Sequence, residues 1–260
     1  MKRNLLKAIL TEGPGLIACY FKWMRKYTKH PEKYDIKDKY ASLHKLVKNV
    51  NHGLDIDIHV VGRNNVPDVA SCLICNHIDA VDPITILGAL DIPTTFVCKK
   101  ELAKVPFVNK CVRSIEGEFI DRQDLKESLR TMMKVEADLK KGNKNWLIFP
   151  EGTRNKDDRA LLLDFHHGTF RPAFKAQVPI VPICIYGSHR VLSKKFKFKR
   201  YPVYLEFGKP LTYEEYKDLK TQEIAELVQS RIQTMLSYHA RKIDRDNLIE
   251  LLGDKYKENY

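Results

Sequence analysis

The sequence lacks the long apolar run of a membrane-spanning helix, which needs about 18 or more consecutive apolar residues. Two apolar stretches near the N-terminus, 5–10 and 16–24, are short and are interrupted by Lys7 and Lys22. For the same reason we do not expect a cleavable signal peptide. Glycine and proline, at 12 each in 260 residues, are too few for a fibrous or low-complexity chain.

Cysteine patterns that would indicate disulfides or metal binding are also scarce. Of six cysteines, Cys72 and Cys75 alone form a Cys-x-x-C spacing, and no second pair follows. The run around them has the pattern of a strand, in which side chains three residues apart point to opposite faces. We therefore expect these cysteines to be small buried apolar residues rather than ligands of a metal. Free cysteines fit a reducing, cytosolic compartment.

Positive charge exceeds negative charge in this chain. Lysine and arginine total 45 against 33 acidic residues, for a formal charge of +12. Such an excess favours an anionic partner, although a solvated basic surface is the simpler alternative. The common nucleic-acid-binding signatures are missing. The charge therefore favours an anionic membrane or an acidic protein over nucleic acid.

The apolar pattern divides the chain into an N-terminal arm and a larger domain. Gly13-Pro14-Gly15 separates the two short apolar stretches, which predicts a pair of amphipathic helices that lie in a membrane interface. The alternative is a helical hairpin packed on the domain. A further helix is predicted over 34–50. We assign 1–54 to a membrane-associating helical arm and 55–260 to an αβ domain.

From residue 55 onward, short β-like runs alternate with helical segments. Strands are predicted at 56–60, 71–75, 94–98, 117–121, 146–149, 180–185 and 203–207, and helices at 83–90, 124–141 and 213–240. This alternation predicts an α/β fold with a mixed, largely parallel sheet flanked by helices. Ligands of such sheets bind beyond the carboxyl ends of the strands.

A histidine and an aspartate follow the strand at 71–75. An imidazole needs a small pKa shift to act as a general base near neutral pH. A carboxylate held against one ring nitrogen would fix the tautomer, which is the role open to Asp82 beside His77. No serine or cysteine stands in this turn, so His77 is predicted to activate a substrate hydroxyl. The alternatives are that Asp82 only caps the helix beginning at Pro83, and that Asp79 takes the carboxylate role.

Two arginines follow two other strands. Arg122 and Arg154 carry permanent charge in a fork that suits phosphate, which suggests a phosphorylated substrate, with surface ion pairs as the alternative. Gly152 would let the backbone approach a ligand closely. Glu151 would accept a hydrogen bond from a substrate hydroxyl, or pair with one of the two arginines.

Together these segments resemble the PlsC-like glycerophospholipid acyltransferases, the 1-acylglycerol-3-phosphate acyltransferases. Asn76, His77 and Asp82 match N-H-x-x-x-x-D, and 117–122 matches the Gly-x-x-Phe-Ile-Asp-Arg type with one spacer fewer. Phe-Pro-Glu-Gly-Thr-Arg is complete at 149–154, and Val-Pro-Ile-Val-Pro at 178–182. The four motifs occur in the family's order between about Gly62 and Gly208.

The resemblance implies transfer of a fatty acyl chain from an acyl carrier protein or coenzyme A thioester to the free hydroxyl of 1-acylglycerol-3-phosphate. It implies that His77 is the base and Asp82 orients it, without an acyl-enzyme. Arg122 and Arg154 would hold the phosphate, while Glu151, Gly152 and Thr153 shape the glycerol site. The resemblance implies no metal or bound cofactor. It also implies a monotopic or peripheral enzyme on the cytoplasmic face of the cell membrane.

One departure from the family pattern leaves the acceptor open. The family often has Phe-Lys-Lys-Gly after its third motif, where this chain has Phe165, His166, His167 and Gly168. Glycerol-3-phosphate or another lysolipid therefore remains an alternative acceptor. Two other classes remain as alternatives, namely a metal-dependent hydrolase and a noncatalytic basic membrane-binding module. The sequence does not predict the length or saturation of the acyl chain, the choice between the two thioester donors, or the oligomeric state.

Overall fold

A computed structural model describes residues 3–155 and 161–252, and within them seven strands form one sheet in the order β1-β7-β6-β2-β5-β3-β4. Neighbouring strands are parallel, except that β6 and β7 are antiparallel. The predicted mixed, largely parallel sheet is therefore confirmed. The strands are β1 Ile56–Val61, β2 Cys72–Cys75, β3 Thr94–Lys99, β4 Glu118–Ile120, β5 Asn145–Ile148, β6 Ile180–Tyr186 and β7 Tyr201–Phe207.

The centre of the sheet is buried on both faces. Every residue of β2, β5 and β6 is buried, which explains why these strands are nearly continuous apolar runs. One face packs against the helices at 125–141, 171–176 and 221–252, and the other packs against the helix at 82–89. The main helices are α3 Ile36–Gly53, α4 Asp82–Ala89, α5 Pro106–Ser114, α6 Leu125–Lys141, α7 Arg171–Ala176, α8 His189–Leu192, α9 Tyr213–Tyr216 and α10 Thr221–Leu252.

Helix α6 begins and ends where the sequence predicts. The Asp124 side chain accepts hydrogen bonds from the backbone amides of Lys126 and Glu127, at 2.9 and 3.1 Å. The helix ends at Gly142, which has φ +74°. The predicted helix over 213–240 is instead divided between α9 and α10. There the Glu223 carboxylate accepts from the Lys220 amide and starts a new helical N-terminus.

The N-terminal arm differs from the prediction in the position of its break. Helix α1, Arg3–Cys19, runs through Pro14 and both flanking glycines. A proline ring fixes φ near the helical value, so the helix continues at the cost of a hydrogen bond. The irregularity lies later, in a π-helical turn at Tyr20–Met24 that leads into α2, Arg25–Lys29. No helix within the described residues is long and apolar enough to cross a membrane.

The arm packs on the rest of the chain through an aromatic cluster and an ion-pair cluster. Trp23 and Met24 belong to a buried cluster that also contains Leu87 of α4 and Ile115 after α5. Below them, Glu116 pairs with Lys39 and Lys144, each at 2.6 Å, and both lysine side chains are only 1% exposed. These ion pairs join α3 to the residues just before β4 and β5. The domain boundary at residue 54 stays a prediction.

Candidate active site

The parallel strands bring the polar motifs to one edge of the sheet. Strand β2 pairs in parallel with β5, β5 with β3, and β3 with β4. Their carboxyl ends therefore meet at the same edge. His77 follows β2, Glu151 follows β5 and Arg122 follows β4. The common edge expected from the sequence is present.

His77 and Asp82 form a hydrogen-bonded pair. Nδ1 of His77 lies 2.9 Å from Oδ2 of Asp82, and the carboxylate is fully buried. The same oxygen accepts from the backbone amides of Ile78 and Asp79, at 2.6 and 2.8 Å. These amides precede α4, so Asp82 is not a helix cap. It is the first helical residue, and its side chain turns back to hold the loop that carries the imidazole.

His77 is held through both its ring and its backbone, and part of its side chain stays exposed. It stacks on Phe149 with ring centroids 4.3 Å apart. Its backbone amide donates to Oε1 of Glu151 at 2.8 Å, and its carbonyl accepts from the Asn155 amide at 2.7 Å. The side chain keeps 16% of its surface exposed. With Nδ1–H donated to Asp82, Nε2 carries the lone pair of a neutral base.

Glu151 joins two loops through its carboxylate. Oε1 accepts from His77, and Oε2 accepts from the Leu163 amide at 3.0 Å. The residue is 4% exposed, and this burial raises the pKa of the carboxyl, although the hydrogen bonds that it accepts oppose the shift. One oxygen thus holds the His77 loop, and the other holds the segment at Leu163. The contact of Glu151 with substrate stays a prediction.

Gly152 stands where a side chain would not fit. Its φ is +68°, and a Cβ there would lie 2.9 Å from the His166 ring. His166 therefore packs over the turn rather than lying in a remote loop. The next two residues, Thr153 and Arg154, are exposed.

The two arginines have different neighbours. Arg122 lines a cavity that also reaches Gly152 and His166, and partial burial lowers the pKa of its guanidinium. The charge of Arg154 acts on the carboxyl of Asp79, whose pKa is nevertheless raised by burial and by the adjacent Asp82. Convergence of both arginines on one phosphate stays a prediction.

An apolar cavity of about 350 Å³ extends from Phe149, on which the His77 ring stacks, toward α6. The polar part of its lining includes Arg122 and His166 beside Gly152, and the apolar part includes Val97, Ile120, Leu129, Met132, Ile148 and Phe149. A second cavity of about 500 Å³ has more polar groups, among them Asn76, Asp79, Glu151, His189 and Lys195. Glu151 and Gly152 are adjacent in one turn, so the two cavities meet the same turn beside His77.

Sequence reasoning missed two supporting residues. The Asn76 amide group donates to the Ile185 carbonyl and accepts from the Ile185 amide, each at 2.9 Å, which ties the His77 loop to β6. Phe149 supports the imidazole ring from below. Both belong to motifs that the sequence had singled out, but only the coordinates show what each contacts. In residues 3–155 and 161–252, no three His, Cys, Asp or Glu side chains group as metal ligands.

A sequence model described as "Acyltransferase" matches residues 57–186. This range includes His77, Asp82, Arg122 and the turn at 149–154. The chain belongs to the acyltransferase family. The resemblance expected from the sequence motifs is therefore confirmed.

Named relatives of this acyltransferase agree with that assignment. The 1-acyl-sn-glycerol-3-phosphate acyltransferase of Saccharomyces cerevisiae is 31% identical over 181 residues, which cover 69% of this chain but 59% of the yeast protein. A probable 1-acyl-sn-glycerol-3-phosphate acyltransferase of Mycoplasma pneumoniae is 26% identical, and the match covers 82% of this chain and 84% of that protein.

A crystal structure also has the same fold. PlsC from Thermotoga maritima, a 1-acyl-sn-glycerophosphate acyltransferase, superposes with a TM-score of 0.68 at 25% identity. The match covers 91% of this chain and 95% of the bacterial one. The similarity therefore extends beyond the motif region to most of the acyltransferase.

Proposed function

We propose that this acyltransferase moves a fatty acyl chain from an acyl carrier protein or coenzyme A thioester to the free hydroxyl of 1-acylglycerol-3-phosphate, forming phosphatidic acid. The observation that carries the proposal is the His77–Asp82 pair, whose imidazole stacks on Phe149, a residue that lines the apolar cavity. The printed names of the yeast and Mycoplasma pneumoniae relatives support the choice of acceptor.

The reaction begins with proton transfer to Nε2 of His77. The acceptor oxygen attacks the thioester carbonyl as its proton passes to the imidazole, and Asp82 stabilises the imidazolium that forms. The tetrahedral intermediate then collapses, the carbon–sulfur bond breaks, and the imidazolium returns its proton to the leaving thiolate. The products are an oxygen ester and a free thiol.

The acyl group passes directly between the substrates, without an acyl-enzyme. Cys75 lies two residues before His77, but it is fully buried, and this burial raises the pKa of its thiol well above the ordinary value. A buried, protonated thiol is a poor nucleophile. The hydroxyl that His77 activates is therefore the acceptor's own.

Arg122 and Arg154 bind the acceptor phosphate, and Gly152 and Thr153 provide backbone close to the glycerol. Burial lowers the pKa of Arg122, but a guanidinium keeps its charge in proteins. The apolar cavity beside Phe149 accommodates an acyl chain, because its lining is mostly apolar and the His77 ring stacks on Phe149.

The N-terminal arm binds the membrane surface in this proposal. Leu6, Leu10, Ile17 and Phe21 are exposed and recur at helical spacing along one side of the arm. Lys22 and Arg25 are exposed at the end of this row. An apolar face bordered by cations suits the interface of an anionic membrane. We place the enzyme on the cytoplasmic face of the cell membrane.

The experiment is an acceptor panel with purified full-length protein. Acyl carrier protein and coenzyme A thioesters are each offered with 1-acylglycerol-3-phosphate, glycerol-3-phosphate and lysophosphatidylcholine, and products are identified by mass spectrometry. Phosphatidic acid is expected to form with the highest kcat/KM. A preference for lysophosphatidylcholine, which lacks a phosphomonoester, would contradict the phosphate site. Vesicle binding without turnover on any pair would indicate a noncatalytic module.

A further inference from the structure

Helix α6 carries a row of large apolar side chains that no part of the described chain covers. Leu125, Leu129 and Met133 are 83%, 43% and 56% exposed. They are four residues apart, so they form one stripe along the helix. The face that packs on the core is a separate set, which includes Met132, Val135 and Leu139. The stripe is therefore additional to the core contact of this helix.

A basic stripe runs beside the apolar one. Each exposed apolar residue is followed directly by an exposed cation, in the order Lys126, Arg130 and Lys134. Lys134 pairs with Glu118, while no ion pair to Lys126 or Arg130 occurs within residues 3–155 and 161–252. An apolar stripe edged by cations matches the interface of an anionic bilayer, where apolar groups enter the acyl boundary and cations meet the head groups.

The stripe continues into the apolar cavity. Leu125 and Leu129 line it together with Arg122, and they are also the first two members of the stripe. Leu102 and Val105, in the segment after β3, are exposed as well. Lys100 in that segment bonds to Glu127 of α6 at 2.8 Å, which ties the segment to the helix. Leu125 and Leu129 thus give the cavity an exposed apolar edge on α6.

We propose that the α6 stripe is a second membrane-docking surface, which seats this edge of the cavity in an anionic bilayer so that lipid acyl chains enter laterally. The inference rests on the proposed function, because it assigns an entry route to that active site. The occupant is a lipid surface rather than an acidic protein, because the apolar row that the cations border continues into the lining of the cavity assigned to an acyl chain.

The test uses the full-length protein with its N-terminal arm intact. Sedimentation with vesicles of phosphatidylcholine, alone or mixed with phosphatidylglycerol, gives the partition coefficient. Met133→Gln and Leu125→Gln are each expected to weaken binding about tenfold to the mixed vesicles, from loss of roughly one inserted apolar side chain. Lys126→Gln/Arg130→Gln is expected to weaken binding to mixed vesicles by about fivefold per cation, with little change on pure phosphatidylcholine. Val69→Gln is the matched control, because Val69 is 58% exposed and precedes β2, away from the cavity edge.

Activity separates docking from a direct effect on the site. Met133 and the two cations do not line the cavity. Their variants should therefore turn over a water-soluble short-chain acceptor normally, yet lose rate on acceptor embedded in mixed vesicles, about tenfold for Met133→Gln and about 25-fold for the double variant. Partition coefficients within twofold of wild type would overturn the proposal, as would equal losses on both acceptors. Loss of a dimer in light scattering with vesicle binding intact would show self-association instead. Absence of turnover in the wild type would refute the proposed function but would leave the partition result standing.

Discussion

Replacement of Asp82 by asparagine tests whether the buried carboxylate assists catalysis. The substitution keeps the shape and the acceptor oxygen that receives the amides of Ile78 and Asp79, but removes the negative charge 2.9 Å from Nδ1 of His77. We therefore expect the loop to persist and the imidazolium to lose its counter-charge. The Oδ1 atom, buried without a hydrogen-bond partner among the described residues, would become an unsatisfied amide group and lower stability by about 1–3 kcal/mol.

The magnitude follows from the geometry. Two unit charges about 4 Å apart attract by about 4 kcal/mol at an effective dielectric of 20. Each 1.36 kcal/mol is a tenfold change in rate, so Asp82→Asn is expected to lower kcat by about 10²–10³-fold while KM for the acceptor changes little. The assay follows release of free thiol from the donor at saturating acceptor, with circular dichroism as the check on folding.

Asp79→Asn is the matched control for this substitution. Asp79 lies in the same loop, but its carboxylate contacts the Val81 amide, at 3.3 Å, and not the His77 ring. We expect its kcat to stay within about tenfold of wild type. Equal losses in both variants, or a folded Asp82→Asn enzyme with nearly normal kcat, would refute the argument that the Asp82 charge acts through the ring.

Two further predictions concern the fold around the site. Burial opposes ionisation of Glu116, but its two buried lysine partners outweigh that effect and hold the pKa of this carboxyl below its usual range. Glu116→Gln is expected to lower the free energy of unfolding by about 3 kcal/mol at neutral pH. This difference should shrink only as pH falls below about 4 through the lowered pKa, as thermal melts across pH would show. Gly152→Ala is expected to lower the free energy of unfolding by about 1–2 kcal/mol because of the positive φ at this position. The added Cβ is also expected to displace the ring of His166. Gly168→Ala, whose Cβ would meet nothing within 4 Å, should melt close to wild type, and equal melting of both variants would contradict this account.

The fold could be predicted to a large extent because local patterns and sheet topology agree. Each predicted β-like run is a strand, and the motifs that follow β2, β4 and β5 meet at one edge because those strands are parallel. The helical arm was predicted less well. Its break was expected at Pro14, but α1 runs through that residue and the π-turn follows six residues later. Local propensity is a weak guide where tertiary packing decides, as it does for the buried Trp23 and Met24.

The candidate site shows what a sequence omits. His77 and Asp82 could be paired from their spacing, but the competing assignment of Asp82 as a helix cap could be rejected only from the direction of its carboxylate. Likewise, nothing in the sequence indicated that the two oxygens of Glu151 accept from backbone amides in two loops, while its expected contact with substrate stays a prediction. The direction of a side chain depends on contacts between segments far apart in sequence, and these contacts could not be predicted from the sequence alone.

The most direct test of the central claim is the transfer rate of His77→Ala, measured with acyl thioester donor and 1-acylglycerol-3-phosphate and read as phosphatidic acid by mass spectrometry. If the imidazole is the general base, the rate should fall by about 10²–10⁴-fold or more while the thermal midpoint changes little. A folded variant that still forms phosphatidic acid within about tenfold of the wild-type rate would contradict it.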